Sequence, residues 1–360
     1  MRRARRVLLA LVVAAMLVPL GPSPAGAAVT RATVVRLCGE LQADAAVGTD
    51  GLVRGFANGS GTGCTRRIWY FRGTAGSWFR LRTPYVGAVT AAATDTTGTY
   101  VLFTNTAGLY VGKFTSAGVF QRAVRLSRIR TTVGGDIAAR GGRWWAVWPE
   151  PVGPFDTDEL FQARTIGTVV SRQRITRNAV PDILPSLTLP ASGRPVLVWQ
   201  RNDAPVEPDN TDVMKATFAN GAWSPVALLT RGQFNSEPAV ASSSGRVGIG
   251  WIRDSAPGFA ESTGSRYAVH LFPRPEEGQA VNPRVALEGT TAYLGWIAVG
   301  GVDESILLAS RQRGTWSTRF INVVGPAGSG TQRLHAVAPS ARGVHVLYSV
   351  ARTLYATTIR

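Results

Sequence analysis

The sequence contains few of the residues that commonly bind metal ions. Its 360 residues include two cysteines and three histidines, and the histidines lie far along the chain from the cysteines. The spacing of paired ligands that a zinc site requires is missing. A glycine-rich phosphate loop and the serine motif of a nucleophile elbow are missing as well. The sequence therefore predicts no cofactor and no bound metal.

Long apolar runs are also scarce. The longest extends from Val7 to Leu20, about 14 residues, and is shorter than the ~20 residues of a membrane-spanning helix. Four arginines precede it, and the small residues Ala25, Gly26 and Ala27 follow it. This order is typical of a secretory signal peptide, with an uncleaved anchor as the alternative. We expect a signal peptide in residues 1–27, one mature domain without a membrane span in residues 28–360, and secretion to the cell envelope or beyond it.

Acidic residues and lysines are few in comparison with arginines. The chain has 39 basic residues, of which only Lys113 and Lys215 are lysines, against 22 acidic residues. Its formal net charge of +17 falls to +13 without the four arginines of residues 1–27. This charge favours attraction to an anionic polymer, while a GC-rich genome would also explain the arginine bias. Nucleic acid is not an expected partner, because the arginines are spread along the chain.

Sustained helical periodicity is absent, which predicts an all-β protein. A short apolar run that ends in an aromatic residue occurs seven times instead. Successive aromatics are separated by 47, 45, 51, 52, 45 and 52 residues, the length of a four-stranded blade in a β-propeller. The anchoring aromatics are Phe56, Phe103, Trp148, Trp199, Trp251, Trp296 and Tyr348. The spacing predicts a seven-bladed β-propeller in which each of them lies in the second strand, strand B, of its blade.

The repeats also predict the other strands of each blade. Apolar segments that begin at Pro185, Pro238, Pro283 and His335, ahead of the aromatics, predict the innermost strand A. Strand C follows strand B after a variable loop, and strand D completes the blade. The fifth repeat differs, because Tyr267–Phe272 fits strand C and prolines follow it. The sequence leaves open whether this blade has only three strands.

The ends of the repeat array predict how the ring closes. The last repeat stops after its strand C, Thr353–Ile359, and the β-like segment Arg31–Leu37 has no partner of its own. Pairing the two segments would complete the last blade and remove an open sheet edge. Cys38 and Cys64 would then lie in loops on the same face, and we expect them to form a disulfide. For a loop of about 26 residues this bond contributes on the order of 3 kcal/mol.

A glycine with an aromatic residue two positions later marks the turn between strands C and D. The motif occurs as Gly76-Ser77-Trp78, Gly118-Val119-Phe120, Gly221-Ala222-Trp223 and Gly314-Thr315-Trp316. It resembles the Ser-x-Asp-x-Gly-x-Thr-Trp turn, the Asp box, of sialidase-like propellers. Gln312 stands where that motif has its aspartate, and one residue fewer separates the glycine from the tryptophan. The resemblance implies a shared blade geometry; in that family this turn lies on the face opposite the active site.

Charged residues are concentrated where loops are expected to meet. Loops between strands B and C and between strands D and A share one face of a propeller, so residues from different blades converge there. The candidate binding residues are Asp136, Glu150, Asp182, Arg201, Asp203, Glu237, Arg253 and Asp254. Carboxylates combined with guanidinium groups suit glycoside hydrolysis or recognition of an acidic sugar. The alternative is that these residues are solvated or pair with the abundant arginines.

We interpret the chain as an exported, monomeric propeller that binds an extracellular glycan, an anionic polymer or a protein. The alternative is an exo-glycosidase or lyase that resembles sialidases. For such an enzyme the resemblance implies three arginines, a Tyr-Glu pair and an aspartate in one pocket. The sequence offers Arg201, Arg253, Glu237 and Asp136 for these roles.

Overall fold

The computed structural model describes residues 29–360, apart from residues 39, 61–63, 75, 130–133, 154–156, 167–168, 203–210, 231–233, 264–265, 277, 301–302 and 327–331. The expected signal peptide, residues 1–27, lies outside the described residues. Within them, no helix is long and apolar enough to cross a membrane.

The described residues form seven antiparallel sheets, each of which is one blade, and this confirms the predicted all-β, seven-bladed β-propeller. Strand A is the innermost strand of each blade. Blade 1 consists of β2 (Glu40–Val47), β3 (Val53–Ser60), β4 (Arg67–Thr74) and β5 (Ser77–Val86). Blade 2 consists of β6 (Ala88–Asp95), β7 (Gly98–Asn105), β8 (Gly108–Phe114) and β9 (Phe120–Ser127). Blade 3 consists of β10 (Asp136–Arg140), β11 (Arg143–Val152), β12 (Thr157–Ile166) and β13 (Val169–Arg174).

The remaining four blades follow the same order, with small differences. In blade 4 the outer strand is divided into two short pieces that both pair with the third strand. In blade 7 the outer strand is β1. Blade 4 consists of β14 (Asp182–Thr188), β15 (Val196–Asn202), β16 (Thr211–Ala219), β17 (Ala222–Trp223) and β18 (Ala227–Leu228), and blade 5 of β19 (Asn235–Ser243), β20 (Arg246–Arg253), β21 (Ala256–Thr263) and β22 (Arg266–Leu271). Blade 6 consists of β23 (Gln279–Glu288), β24 (Thr291–Gly300), β25 (Asp303–Gln312) and β26 (Thr315–Pro326). Blade 7 consists of β27 (Gln332–Ser340), β28 (Gly343–Val350), β29 (Thr353–Ile359) and β1 (Val29–Arg36).

The chain closes its own ring, as predicted. Strand β1 runs antiparallel to β29, with Val29 opposite Ile359 and Arg36 opposite Thr353. The next residue after the strand continues the ladder, because the Leu37 N–H donates to the Arg352 carbonyl at 2.9 Å. Cys38 then forms the expected disulfide with Cys64, which follows β3 of blade 1, and their Cα atoms are 5.7 Å apart. The first and last blades are therefore joined by both backbone pairing and a covalent bond.

The hydrophobic core lies between blades. Each of the seven anchoring aromatics is at most 4% exposed, and each cluster of buried side chains combines residues of two neighbouring blades. Ala138 and Val147 of blade 3, for example, pack with Leu197 and Trp199 of blade 4. Strand B is apolar on both faces because it is covered by a blade on either side.

The glycine-aromatic turns connect strands C and D in blades 1, 2, 4 and 6. Their glycines have positive φ values of 107°, 89°, 85° and 87°, a conformation that L side chains rarely adopt. The aromatic residue packs at the border with the preceding blade. Trp223 contacts the rings of Trp145 and Phe218, and its Nε1–H donates to Gln162 at 3.1 Å. These tryptophans are therefore part of the packing between blades.

Blade 5 has four strands, which answers the question that the sequence left open, but the strand assignment within it was wrong. The segment predicted as strand C, Tyr267–Phe272, falls in the outer strand β22. The true strand C, β21, follows β20 after a two-residue turn of Asp254 and Ser255, whose φ values are 47° and 71°. A hairpin of this type normally contains glycine, and its absence hid the turn in the sequence.

Strand A begins earlier than predicted in blades 4 to 7. We expected it to begin at Pro185, Pro238, Pro283 and His335, whereas β14, β19, β23 and β27 begin three or four residues before these positions. Each of the four residues lies instead at an irregularity in the pairing of strands A and B. These irregularities shape the wall of the central channel.

Candidate functional site

The central channel is a cavity of about 610 Å³ enclosed by strand A of all seven blades. Small-molecule sites in proteins commonly have volumes of ~300 to 1,000 Å³. Most of its wall is small or aliphatic, and its polar side chains come from several blades. They include Asp44, Asp136, Glu237, Asn282, Arg284 and His335.

Three neighbouring blades bulge into this channel in the same way. Leu184, Glu237 and Asn282 have positive φ values of 49°, 51° and 56°, and each precedes a proline. Proline lacks an N–H group, so it is tolerated at the edge strand of a sheet, where no ladder partner is lost. In each blade the bulge lies opposite the anchoring tryptophan of strand B. In each of these three blades the fold thus places one residue of positive φ at the same level of the channel.

The channel carboxylates bridge adjacent blades. Asp44 of blade 1 accepts a hydrogen bond from the Ala92 N–H of blade 2 at 2.6 Å. Asp136 of blade 3 accepts one from the Leu187 N–H of blade 4 at 2.6 Å. Glu237 of blade 5 accepts one from the Asn282 N–H of blade 6. These side chains therefore hold the inner strands of the ring together while they line the cavity.

Arg284 and His335 complete the polar wall on blades 6 and 7. The Arg284 guanidinium donates from Nε to the His335 carbonyl at 3.0 Å and from Nη1 to the Pro283 carbonyl at 2.9 Å. His335 Nε2 lies 2.9 Å from the Ser349 hydroxyl, and the ring also bonds the backbone of Ala43 in blade 1. The histidine thus links the last blade to the first.

Burial and mutual charge change the protonation of this group. Burial raises the pKa of the Asp44 carboxyl to about 7, the charge of Asp136 adds to the rise, and the charge of Arg284 opposes it. Burial also raises the pKa of Asp136. Burial and the charge of Arg284 lower the pKa of His335 to about 3, so that its ring is neutral near pH 7. The channel thus contains two interacting carboxyls, a neutral histidine and a guanidinium.

Of the residues predicted from the sequence, Asp136 and Glu237 line the channel. Asp182 and Arg201 lie together but bind each other, with Nε to Oδ1 at 2.9 Å and Nη2 to Oδ2 at 3.2 Å. Asp182 is fully buried, and Trp199 and Asn178 donate to its two oxygens at 2.7 and 2.6 Å. All of its strong acceptor sites are therefore engaged inside the protein.

Three further predicted residues, Glu150, Arg253 and Asp254, do not line the channel. Glu150 is buried and accepts hydrogen bonds from Trp148 at 2.9 Å and from Arg172 at 2.7 Å. Arg253 ends β20, and Asp254 is exposed in the hairpin that follows. The Asp254 side chain accepts a hydrogen bond from the Phe234 N–H at 3.1 Å. Asp203 lies outside the described residues.

Sequence reasoning did not select Asp44, Asn282, Arg284 and His335, all of which line the channel. They belong to strand A, which was interpreted only as an apolar segment. A signal existed, because a residue followed by proline recurs in the strand A segments of blades 4, 5 and 6. Repeated X-Pro pairs in an innermost strand indicate bulges that turn polar groups toward the axis.

Solved structures of low sequence identity share this architecture. YCF48 from Cyanidioschyzon merolae is 12% identical, with a TM-score of 0.56 over 92% of this chain and 98% of that one. The GH93 α-L-arabinofuranosidase of Fusarium graminearum, solved with arabinobiose, is 10% identical, with a TM-score of 0.51 over 91% and 97%. A subtype N10 neuraminidase-like protein of a little yellow-shouldered bat isolate is 11% identical, with a TM-score of 0.50 over 75% and 93%. The likeness establishes the fold alone.

The N10 match supports the sialidase-like blade geometry that the turn motif implied. No protein-family model matches the chain, and no curated protein matches it. Because these neighbours differ widely in what their names describe, any assignment of function depends on the chemistry of the channel.

Proposed function

We propose that the protein is an exported β-propeller that binds an extracellular carbohydrate in its central channel. The observation that carries the proposal is the convergence of Asp44, Asp136, Glu237 and Arg284 on one cavity of about 610 Å³. Carboxylates accept hydrogen bonds from sugar hydroxyls, and a guanidinium donates to ring and hydroxyl oxygens. No Trp, Tyr or Phe is among the described residues that line the cavity. Recognition would therefore depend on hydrogen bonds and not on ring stacking.

Binding is favoured over catalysis because most of the acids are engaged in the structure. Asp182 and Glu150 are bound by tryptophan and arginine side chains. Asp136 accepts backbone N–H groups on both oxygens, from Ile137 at 2.7 Å and from Leu187 at 2.6 Å. A carboxylate held in this way positions strands well but is poorly placed to transfer protons to a ligand.

An exo-glycosidase or lyase is the second candidate, and one observation favours it. Burial, together with the charge of Asp136, raises the pKa of Asp44 to about 7. Neighbouring carboxyls of which one stays protonated near pH 7 are typical of general acid and base catalysis. Release of reducing sugar from a bound glycan, lost on replacement of Asp44 by asparagine, would establish this function in place of simple binding.

A screen of glycans and cell-wall polymers at low and at about 1 M NaCl tests the proposal. Attraction due only to net charge should vanish at high salt, where the Debye length is ~3 Å, whereas binding in the channel should persist. Glu237→Gln keeps an acceptor for the Asn282 N–H and removes the charge, and we expect it to weaken binding about tenfold. Glu288→Gln, at an exposed hairpin, is the matched control and should leave binding unchanged. Salt-resistant binding that Glu237→Gln does not affect would contradict the proposed site.

A further inference from the structure

The channel is not basic, although the chain as a whole is. The formal charge of the chain is +17, yet three carboxyls, those of Asp44, Asp136 and Glu237, line the cavity together with the arginines Arg284 and Arg333. Acidic and basic groups thus nearly balance inside it. A ligand in the channel experiences these near charges more strongly than the screened charges of the outer surface.

The Arg284 guanidinium is committed to the protein. Its Nε and Nη1 donate to the carbonyls of His335 and Pro283, and its charge acts on Asp44 and Asp136. A ligand carboxylate is best held by two parallel N–H groups of an arginine, and here each of the two parallel pairs, Nε with Nη2 and Nη1 with Nη2, contains a nitrogen that already donates to the backbone. Its charge is also offset by the adjacent acids.

The arginine that the sequence suggested for an acidic sugar is equally committed. Arg201 forms two hydrogen bonds with the fully buried Asp182. Releasing it would leave an unpaired carboxylate inside the protein, which is strongly unfavourable. Arg201 is therefore bound to Asp182 and is not available to hold a ligand carboxylate.

We propose that the channel is selective for an uncharged, hydroxyl-rich saccharide unit and discriminates against uronic and sialic acids. This inference depends on the proposed carbohydrate function and names its ligand class. The acceptors on Glu237 and Asp44 suit hydroxyl donors, whereas a carboxylate at the same place meets the negative charge of Glu237 and an Arg284 guanidinium that is already engaged with backbone carbonyls. A positively charged amino sugar is repelled by Arg284 and Arg333, and it gains little from Asp44 and Asp136 because burial raises the pKa of both carboxyls.

Titration calorimetry with matched small saccharides at about 0.5 M NaCl tests the selectivity, because surface attraction is largely screened there. The neutral probes are cellobiose, xylobiose and arabinobiose, the acidic probes are digalacturonic acid and sialyllactose, and the cationic probe is chitosan disaccharide. We expect at least one neutral probe to bind about tenfold more tightly than every acidic and cationic probe. This ratio of affinities is measured on the wild-type protein and requires no variant.

Two variants place the binding in the channel. Glu237→Gln should reduce the discrimination against digalacturonic acid about tenfold, because it removes one repelling charge. Glu288→Gln should leave the discrimination as in the wild type. A melting curve of each variant verifies that the ring is intact.

The outcomes separate the two proposals. Tighter binding of an acidic or cationic probe, sensitive to Glu237→Gln, would overturn the selectivity and leave the carbohydrate function standing. No saccharide binding that responds to Glu237→Gln would overturn the carbohydrate function itself.

Discussion

At the residue scale, the carboxyls of this propeller differ in how completely their acceptor sites are filled. Asp182 has no exposed surface and four hydrogen bonds from three side chains. Asp44 faces the cavity and keeps capacity for other partners. The first arrangement leaves no acceptor of the buried side chain unsatisfied, whereas in the second burial is the dominant effect and raises the pKa of Asp44.

Asp182→Ala should destabilise the fold by about 3 to 5 kcal/mol. The change leaves Arg201 without its partner and the Trp199 Nε1–H without an acceptor in the core. Urea unfolding of the variant measures this loss. Glu288→Ala, at an exposed hairpin, is the control and should change the free energy of unfolding by less than about 1 kcal/mol. Equal effects of the two substitutions would contradict the structural role of Asp182.

Asp44 should make folding stability depend on pH. Its pKa in the folded protein is about 7 against an ordinary 3.8, so the folded state holds this proton more tightly than the unfolded chain. The resulting stabilisation is complete below about pH 4 and is lost as the pH rises to about 7. Asp136, Arg284 and His335 are the charged or titratable groups around it.

The wild type should therefore lose a few kcal/mol of stability relative to Asp44→Asn between about pH 4 and pH 7. Urea unfolding of both proteins across this range gives the difference. His335 has a lowered pKa and an effect of opposite sign, but it is present in both proteins and cancels. A difference that stays constant with pH would show that Asp44 is ionised in the fold.

At the scale of strands and turns, the packing of one aromatic residue against the preceding blade recurs around the ring. Trp316 contacts Phe259 and Phe272 of blade 5, as Trp223 contacts Trp145 of blade 3. The glycine of each turn permits the chain to reverse sharply enough for this contact. The motif predicted these positions correctly because turn conformation and aromatic packing are both local properties.

Trp223→Ala should destabilise the protein by about 2 to 4 kcal/mol, because it removes ring contacts with two blades and one of the two indole N–H groups that donate to Gln162 Oε1. Trp223→Phe should lose less, since the ring contacts with Phe218 and Trp145 are retained. Thermal unfolding compares the two. Val119→Ala, at the exposed middle position of an equivalent turn, is the control. A loss in Val119→Ala as large as in Trp223→Ala would contradict the packing role.

The sequence predicted blade number, anchors and closure, but only Asp136 and Glu237 among the polar residues of the channel. Anchors and turns carry strong composition signals, because a residue buried between blades must be large and apolar. The Asp254-Ser255 hairpin lacked such a signal, and blade 5 was misassigned in consequence.

Arg284 was missed because its partner His335 lies in the next blade, 51 residues later. His335 was missed because its ring bonds the backbone of Ala43 at the other end of the chain. A single repeat encodes neither contact.

At the scale of the whole molecule, closure of the ring depends on β1 and on the bond between Cys38 and Cys64. Strand β1 belongs to blade 7, whereas Cys64 belongs to blade 1. The chain runs from β1 of blade 7 into β2 of blade 1, and the disulfide anchors this junction, at Cys38, to the segment after β3 of blade 1. Opening this junction would expose the edge of β29 and the inner face of blade 1.

Replacing both cysteines by serine should lower the free energy of unfolding by about 3 kcal/mol. A reducing agent should lower the melting temperature of the wild type to a similar degree. The double variant is the control and should not respond to the reducing agent. A wild type that is insensitive to reduction, under conditions where free thiols are released, would contradict a stabilising role for this bond.

The inter-blade bridges of the channel have a consequence for evolution and engineering. Asp44, Asp136 and Glu237 each accept a hydrogen bond from the neighbouring blade. A substitution of one of them that changes ligand specificity therefore also weakens the contact between two blades. A change in ligand specificity is then coupled to a loss of folding stability. Redesign of the cavity is best begun at Thr90, which lines the wall at the bulge of blade 2. A new side chain at this position can contact a ligand while the carboxylate hydrogen bonds between blades are kept.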